Sequence, residues 1–274
     1  MGSELVRRGV SIPGPAWSAH ALDSAPQIVE AIHREYAGAG ATVHTSNTFR
    51  THRRTLGTRW EELARRAVRI ARKSIPPGHR VAGSLAPLAD CYRPDLSPGS
   101  ASRHEHRELA RVLVDEGVDL LLCETFPSHV EAVVAVEEAV RTGVDTWVGL
   151  TAGPDGSLMT PEQMHGIGAE CILAGARAVM VNCTAVTRTL AFVVRLAELG
   201  VPFGAYANAG LPEDAIGWGA DARDGARAYA AIARQWVEAG ATIAGGCCGT
   251  GPEHIAELAS LDVAHRTSFT STRP

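Results

Sequence analysis

The chain contains no long hydrophobic run. Nowhere do its 274 residues approach the roughly 20 consecutive apolar residues that cross a bilayer. The first residues, Met1-Gly2-Ser3-Glu4-Leu5-Val6-Arg7-Arg8, hold no apolar signal core, so the expected setting is the cytoplasm. An excess of basic charge is lacking too: 26 Lys and Arg stand against 30 Asp and Glu, a net charge of −4. Binding a phosphate backbone needs a basic stripe, so nucleic acid is not an expected partner. Cysteine is scarce, at six residues. That is too few for a disulfide scaffold at this length, and in a reducing compartment clustered cysteines are more often metal ligands or catalytic groups. No G-x-G-x-x-G follows the first strand-like run, which argues against a dinucleotide-binding doubly wound sheet. No linker or composition shift divides the sequence. One domain over residues 1–261 is expected, followed by a polar, Thr/Ser-rich tail over 262–274 that should fray.

What is present is alternation. Hydrophobic residues make up 45% of the chain, enough for a large core. Short apolar runs at 41–45, 80–85, 119–123, 146–150, 178–182, 202–206 and 242–246 read as strands buried on both faces of a parallel sheet. Between them lie amphipathic stretches at 58–73, 103–116, 128–141, 161–174, 187–199 and 223–239. The first opens with Thr58-x-x-Glu61, a capping-box pattern. Gly117, Gly143, Gly175, Gly200 and Gly240 stand where helices should stop. Six strand-to-strand steps separate Asn47 from Cys247, about 33 residues each. A (β/α)₈ barrel of about 250 residues averages about 31 per unit, and such a TIM barrel is the expected fold. An open doubly wound sheet is the alternative.

Polar residues interrupt the pattern at the C-terminal ends of the strands: Asn47, Ser84, Glu124, Thr151, Asn182-Cys183, Asn208 and Cys247-Cys248. In a barrel these ends share one rim, where active sites are built. The sharpest local signal is Gly245-Gly246-Cys247-Cys248-Gly249-Thr250. Neighbouring strand residues face opposite sides, so two adjacent cysteines meet one ion only if the chain turns there, and the flanking glycines permit the turn. Cys183 is positioned to supply a third thiolate. Three thiolates with one open position make a catalytic rather than a structural Zn²⁺ site. A pair of small buried cysteines or a vicinal disulfide is the plainer reading of Cys247-Cys248. Cys91, Cys123 and Cys171 are expected to be ordinary loop or core residues, with Cys123 facing away from Glu124.

Asn182-Cys183 and Gly245-Gly246-Cys247-Cys248-Gly249-Thr250 resemble the two zinc motifs of the homocysteine S-methyltransferase family. Met1-Gly2-Ser3-Glu4-Leu5, Trp17-Ser18-Ala19, Thr45-Ser46-Asn47-Thr48-Phe49, Leu122-Cys123-Glu124-Thr125 and Tyr206-Ala207-Asn208-Ala209-Gly210 agree in the same order. The resemblance implies Cys183, Cys247 and Cys248 as zinc ligands. It implies Glu124 as the partner of the substrate ammonium, with Asn208, Ser84 and Asn47 around the substrate. Asn208 would fill the fourth zinc position until substrate arrives. Gly83-Ser84-Leu85-Ala86-Pro87 departs at Ala86 from the family's usual Gly-Ser-x-Gly-Pro.

The implied reaction is methyl transfer from a small onium donor to the thiol of homocysteine, giving methionine. A thiol of pKa near 8.5 is a poor nucleophile at pH 7, and Zn²⁺ holds it as the thiolate. A sulfonium or ammonium donor loses its charge on transfer, so no general acid is needed. The alternatives are a zinc hydrolase and a non-enzymatic zinc or redox-sensing barrel. A thiolate-rich site lowers the acidity of bound water, which disfavours hydrolysis. No second unit for a bulky methyl carrier is apparent. The sequence counts seven strands where closure needs eight. The resemblance places the first strand and its Asp-Gly-Gly loop before residue 1, which implies weak homocysteine affinity, or no activity, for this form.

Overall fold

The computed structural model describes residues 1–214, 216–217 and 221–261; the expected tail over 262–274 lies outside them. Seven parallel strands run in the order β1-β2-β3-β4-β5-β6-β7 among the described residues. They are β1 (Val43–Thr45), β2 (Arg80–Leu85), β3 (Leu120–Phe126), β4 (Thr146–Leu150), β5 (Ala178–Ala185), β6 (Phe203–Asn208) and β7 (Ile243–Gly246). The helices are α1 (Gly2–Arg7), α2 (Ala21–Ser24), α3 (Pro26–Gly38), α4 (Arg53–Leu56), α5 (Trp60–Ser74), α6 (Arg103–Asp115), α7 (His129–Val140), α8 (Pro161–Leu173), α9 (Leu190–Leu196), α10 (Ala222–Glu238) and α11 (Pro252–Ala259). The sheet curls as a TIM barrel does, with helices packed outside. Each strand pairs with its sequence neighbours, and no pairing joins β7 to β1. Residues before Ala41 form helices and loops rather than a further strand.

The sheet owes this form to its two apolar faces. Its outer face packs on the helices through a continuous core that includes Val81, Leu121, Cys123, Val148, Val179 and Ala205. Its inner face carries Ala82, Leu120, Leu122 and Met180, with Val43, Trp147, Tyr206 and Ile243 packed against them. The two sets alternate along each strand, as the pleat requires. Continuing the inner set to the strand ends places Ser84, Glu124, Asn182, Asn208 and Cys247 over one end of the barrel. Cys123 sits in the outer core, and so does Cys171 on α8.

Helix boundaries follow the glycine stops: Gly117, Gly143, Gly175, Gly200 and Gly240 all take positive φ. The capping box expected at Thr58 does not form. Residues Gly57–Arg59 make a 3₁₀ turn, and α5 starts at Trp60 with no side-chain cap. Arg59 is held there by Asp23, and the Trp60 ring is buried. Tertiary contacts therefore set this helix start in place of the local signal. A capping box does open α8, where Thr160 and Gln163 exchange bonds.

A cavity of about 600 Å³ runs from the barrel interior out between β1 and β7, past Trp147, Met180, Tyr206, His33 and His44. His44 Nε2 lies 3.1 Å from His79 Nδ1. Burial, reinforced by the charge of His44, lowers the pKa of His33 to about 3. Burial and His79 lower that of His44 to about 4. Burial, with Arg50, lowers that of His52 to about 4. In the unfolded chain these groups titrate near 6.5. Their folded pKa values are depressed, so the stability they contribute is complete above about pH 6.5 and is lost as the pH falls below it. The slope is about 1.4 kcal/mol per pH unit for each histidine. Denaturation between about pH 6.5 and 5 should show this decline, and His33→Gln should flatten it by one histidine's share. An unchanged slope would contradict the buried neutral state of His33.

Candidate metal centre

Parallel strand ends bring side chains to a common rim, but the pleat alone sends Cys183 outward, because Asn182 already faces in. The backbone corrects this. Cys183 takes φ +51°, and the register with β6 shifts between Asn182 and Ala185. A left-handed residue other than glycine costs of order 1–3 kcal/mol, and such bulges re-aim side chains. On β3 the same device recurs: Thr125 takes φ +63°, with a register shift between Cys123 and Phe126.

The two bulges are tied together. Asn182 Oδ1 accepts from the Thr125 backbone N–H at 3.1 Å, and Asn182 Nδ2 donates to Thr125 Oγ1 at 2.7 Å. The Thr125 hydroxyl lies 3.6 Å from the Cys183 sulfur and donates to it. The Asn182 side chain spans from β5 to β3 over β4, which is passable because β4 carries Gly149 there. A Cβ at Gly149 would meet Asn182 Oδ1 at 2.9 Å and collide with the Tyr206 hydroxyl.

After β7 the chain turns at Cys247-Cys248, with Gly249 at φ +78°. Cys247 N–H donates to the Ala207 carbonyl at 2.8 Å, and Ala209 N–H donates to the Cys248 carbonyl at 2.9 Å. The Thr250 hydroxyl closes the turn onto the Cys247 carbonyl at 2.8 Å. The turn lets adjacent cysteines face one point. The sulfurs of Cys183, Cys247 and Cys248 lie within 4.8 Å of one another. Cys183 and Cys247 are joined as a disulfide, and Cys248 is free. Three thiolates on one zinc at about 2.3 Å place their sulfurs about 3.8 Å apart. The donor set and spacing fit such an ion once the disulfide takes up two electrons and opens.

Asn208 links the two cysteine segments. Its Nδ2 donates to the Cys183 carbonyl at 3.0 Å, and its Oδ1 accepts from Cys248 N–H at 3.2 Å. To serve as a metal ligand it must release the second of these bonds. Glu124 ends the inner row of β3 and is buried, accepting from the Ser84 hydroxyl. Burial raises its pKa, opposed by that bond. Ser128, at the start of α7, makes no side-chain cap, and Glu124 points to Ser84 instead. Burial likewise raises the Cys248 thiol pKa, opposed by the buried amino group of Met1 and reinforced by Glu124. Asn47 is set apart in role: both of its amide atoms bond Ser18, at 2.7 and 2.8 Å, anchoring the end of β1 to the N-terminal segment.

Sequence reasoning missed Tyr92, whose hydroxyl donates to the Cys183 carbonyl at 3.3 Å. It rides on the β2–α6 loop, which buried Glu131 holds by accepting from Leu88 N–H at 2.9 Å and from Ser97 and His106. A loop carries no periodic signal. It also missed Thr125 and Gly149, whose importance is visible only across strands.

The sequence matches the family described as homocysteine S-methyltransferase over residues 1–261. It is 31% identical to the homocysteine S-methyltransferase of Escherichia coli K12, covering 94% of this chain and 92% of that one. It is 26% identical to a selenocysteine methyltransferase of Astragalus bisulcatus, covering 93% of this chain and 88% of that one. The crystal structure of the E. coli homocysteine methyltransferase MmuM in its metallated form superposes with a TM-score of 0.79 at 27% identity, covering 94% and 93% of the two chains. The oxidized form of that enzyme gives 0.77 at 27% identity, covering 94% and 92%.

Gly149→Ala should destabilise the protein by about 1–3 kcal/mol, as overpacking does, because the methyl group displaces Asn182 or Tyr206. Chemical denaturation of the purified variant measures this, and a native-like midpoint would show that the passage over β4 is not tight.

Proposed function

Because the chain belongs to the homocysteine S-methyltransferase family, we propose that it moves a methyl group from a small sulfonium or ammonium donor to the thiol of homocysteine, at a zinc ion bound by Cys183, Cys247 and Cys248. The observation that carries this reading is the meeting of three cysteine sulfurs within 4.8 Å, beside a buried carboxylate, at the C-terminal rim of a parallel barrel. The metallated form known for MmuM supports a metal ion at such a site. A reducing compartment such as the cytoplasm keeps the three sulfurs available.

Cys183, Cys247 and Cys248 would hold the ion, and when bound it would supply Lewis acidity that keeps the acceptor sulfur as a thiolate at neutral pH. The protein's own groups do the rest. Glu124 sits in a dry pocket where its charge is costly, so an ammonium partner relieves it and fixes the amino end of the acceptor. Ser84 orients that carboxylate. Tyr92 and Asn208 hold the Cys183 carbonyl and keep the cysteine-bearing segments in register. In the transfer, a lone pair of the acceptor sulfur forms the new S–CH₃ bond. The bond from methyl to the donor's positive sulfur or nitrogen breaks, and its electron pair stays with the donor. Charge is cancelled, and no proton needs to move in that step.

The redox-sensor and hydrolase readings are set aside. The family match extends over residues 1–261, well beyond the cysteines. Glu124, the buried carboxylate at the end of β3, is engaged by Ser84. A selenol acceptor belongs to the same chemistry.

The test contrasts two variants of the reduced protein. Cys248→Ala should lose both bound zinc and homocysteine methylation with S-methylmethionine, S-adenosylmethionine, betaine and dimethylsulfoniopropionate as donors. Glu124→Gln should keep its zinc and raise the KM for homocysteine. The native enzyme should lose acceptor affinity as the pH falls toward the raised pKa of Glu124, a dependence that the glutamine variant lacks. Full activity without metal, or an unchanged KM in Glu124→Gln, would contradict the assignment.

A further inference from the structure

We propose that Thr125, oriented by Asn182, donates a hydrogen bond to the Cys183 sulfur in the reduced, metal-loaded protein, and so acts as a positioning residue for that ligand. The inference rests on the three-cysteine reading above.

The direction of this bond is fixed by its neighbours. Asn182 Oδ1 accepts the Thr125 backbone N–H, which leaves Nδ2 as the atom facing the Thr125 hydroxyl. The amide orientation is therefore set by the backbone. Nδ2 donates to Thr125 Oγ1 at 2.7 Å and occupies a lone pair of that oxygen. The hydroxyl proton must then point elsewhere. Both Asn182 and Thr125 are fully buried, so solvent does not compete for it. The acceptor within reach is the Cys183 sulfur at 3.6 Å.

This chain of bonds has a purpose at a site of three negative sulfurs. A hydrogen bond to a thiolate is charge-assisted and drains part of its charge. It eases the repulsion among three clustered thiolates. It also holds Cys183 in the left-handed backbone that aims its sulfur inward. Groups that orient a metal's ligands in this way typically contribute 10–100-fold in metal affinity. Gly149 belongs to the same device, since it keeps open the path by which Asn182 reaches Thr125.

Thr125→Ser and Thr125→Ala separate the hydroxyl from the packing, because both remove the methyl group and only serine keeps the donor. Zn²⁺ affinity is read by competition with a chromophoric chelator under reductant. The sulfur-to-metal charge-transfer band is read after loading with Co²⁺. Circular dichroism confirms that each variant is folded. Thr125→Ser should bind like the native chain. Thr125→Ala should bind about 10–100-fold more weakly, with its cobalt band moved to longer wavelength because the sulfur has become more electron-rich. Equal band energies in the serine and alanine variants would overturn the proposal whatever their affinities. A native chain that binds neither Zn²⁺ nor Co²⁺ would overturn the three-cysteine reading and this inference with it. Native binding with indistinguishable variants would overturn this inference alone.

Discussion

Parallel strands end at one rim, yet the pleat points alternate residues away from it, and three sulfurs meet there only where the backbone leaves the pleat. That constraint organises the site. The chain meets it twice in different ways. After β7 a glycine turn lets two adjacent cysteines face the same point. On β5 no glycine is present, and Cys183 itself takes the left-handed conformation. The second solution is the more costly one, and it is matched by a left-handed Thr125 on β3. Asn182 ties the two together over Gly149.

Burial governs the electrostatics around this point. Glu124 lies in a pocket where its charge is disfavoured, and the Ser84 hydroxyl donates a hydrogen bond to it. In the proposed reaction, an acceptor bearing both an ammonium and a thiol matches such a site at its two ends, the carboxylate meeting the cation and the sulfur cluster the thiol. On that proposal the thiol is held by geometry before the methyl group arrives, which is where orientation contributes most to rate. The polar bonds behind the cysteines, from Tyr92 and Asn208 to one carbonyl, serve the same end.

Much of the fold was legible in the sequence. The seven apolar runs became the seven strands because parallel strands buried on both faces need continuous apolar residues. The glycine stops held because a left-handed helix end strongly favours glycine. Other features were not legible. Thr58-x-x-Glu61 carries a capping signal, but contacts of Arg59 with Asp23 and burial of Trp60 moved the helix start beyond it. At the rim, Cys183, Cys247, Cys248, Asn208, Ser84 and Glu124 converge, as their positions at strand ends suggested. Asn47 turned to Ser18 because the N-terminal segment packs against the end of β1. Thr125, Gly149 and Tyr92 gave no signal of their own, since each matters through a partner dozens of residues away.

Cys183, Cys247 and Cys248 are proposed to bind one metal ion together, with a position left for the substrate thiol. X-ray absorption at the zinc edge on the reduced, zinc-loaded protein tests it most directly. Three sulfur ligands and one lighter ligand are expected in the free enzyme, and four sulfurs once homocysteine is added. A first shell with fewer than three sulfurs, or one that homocysteine leaves unchanged, would contradict it.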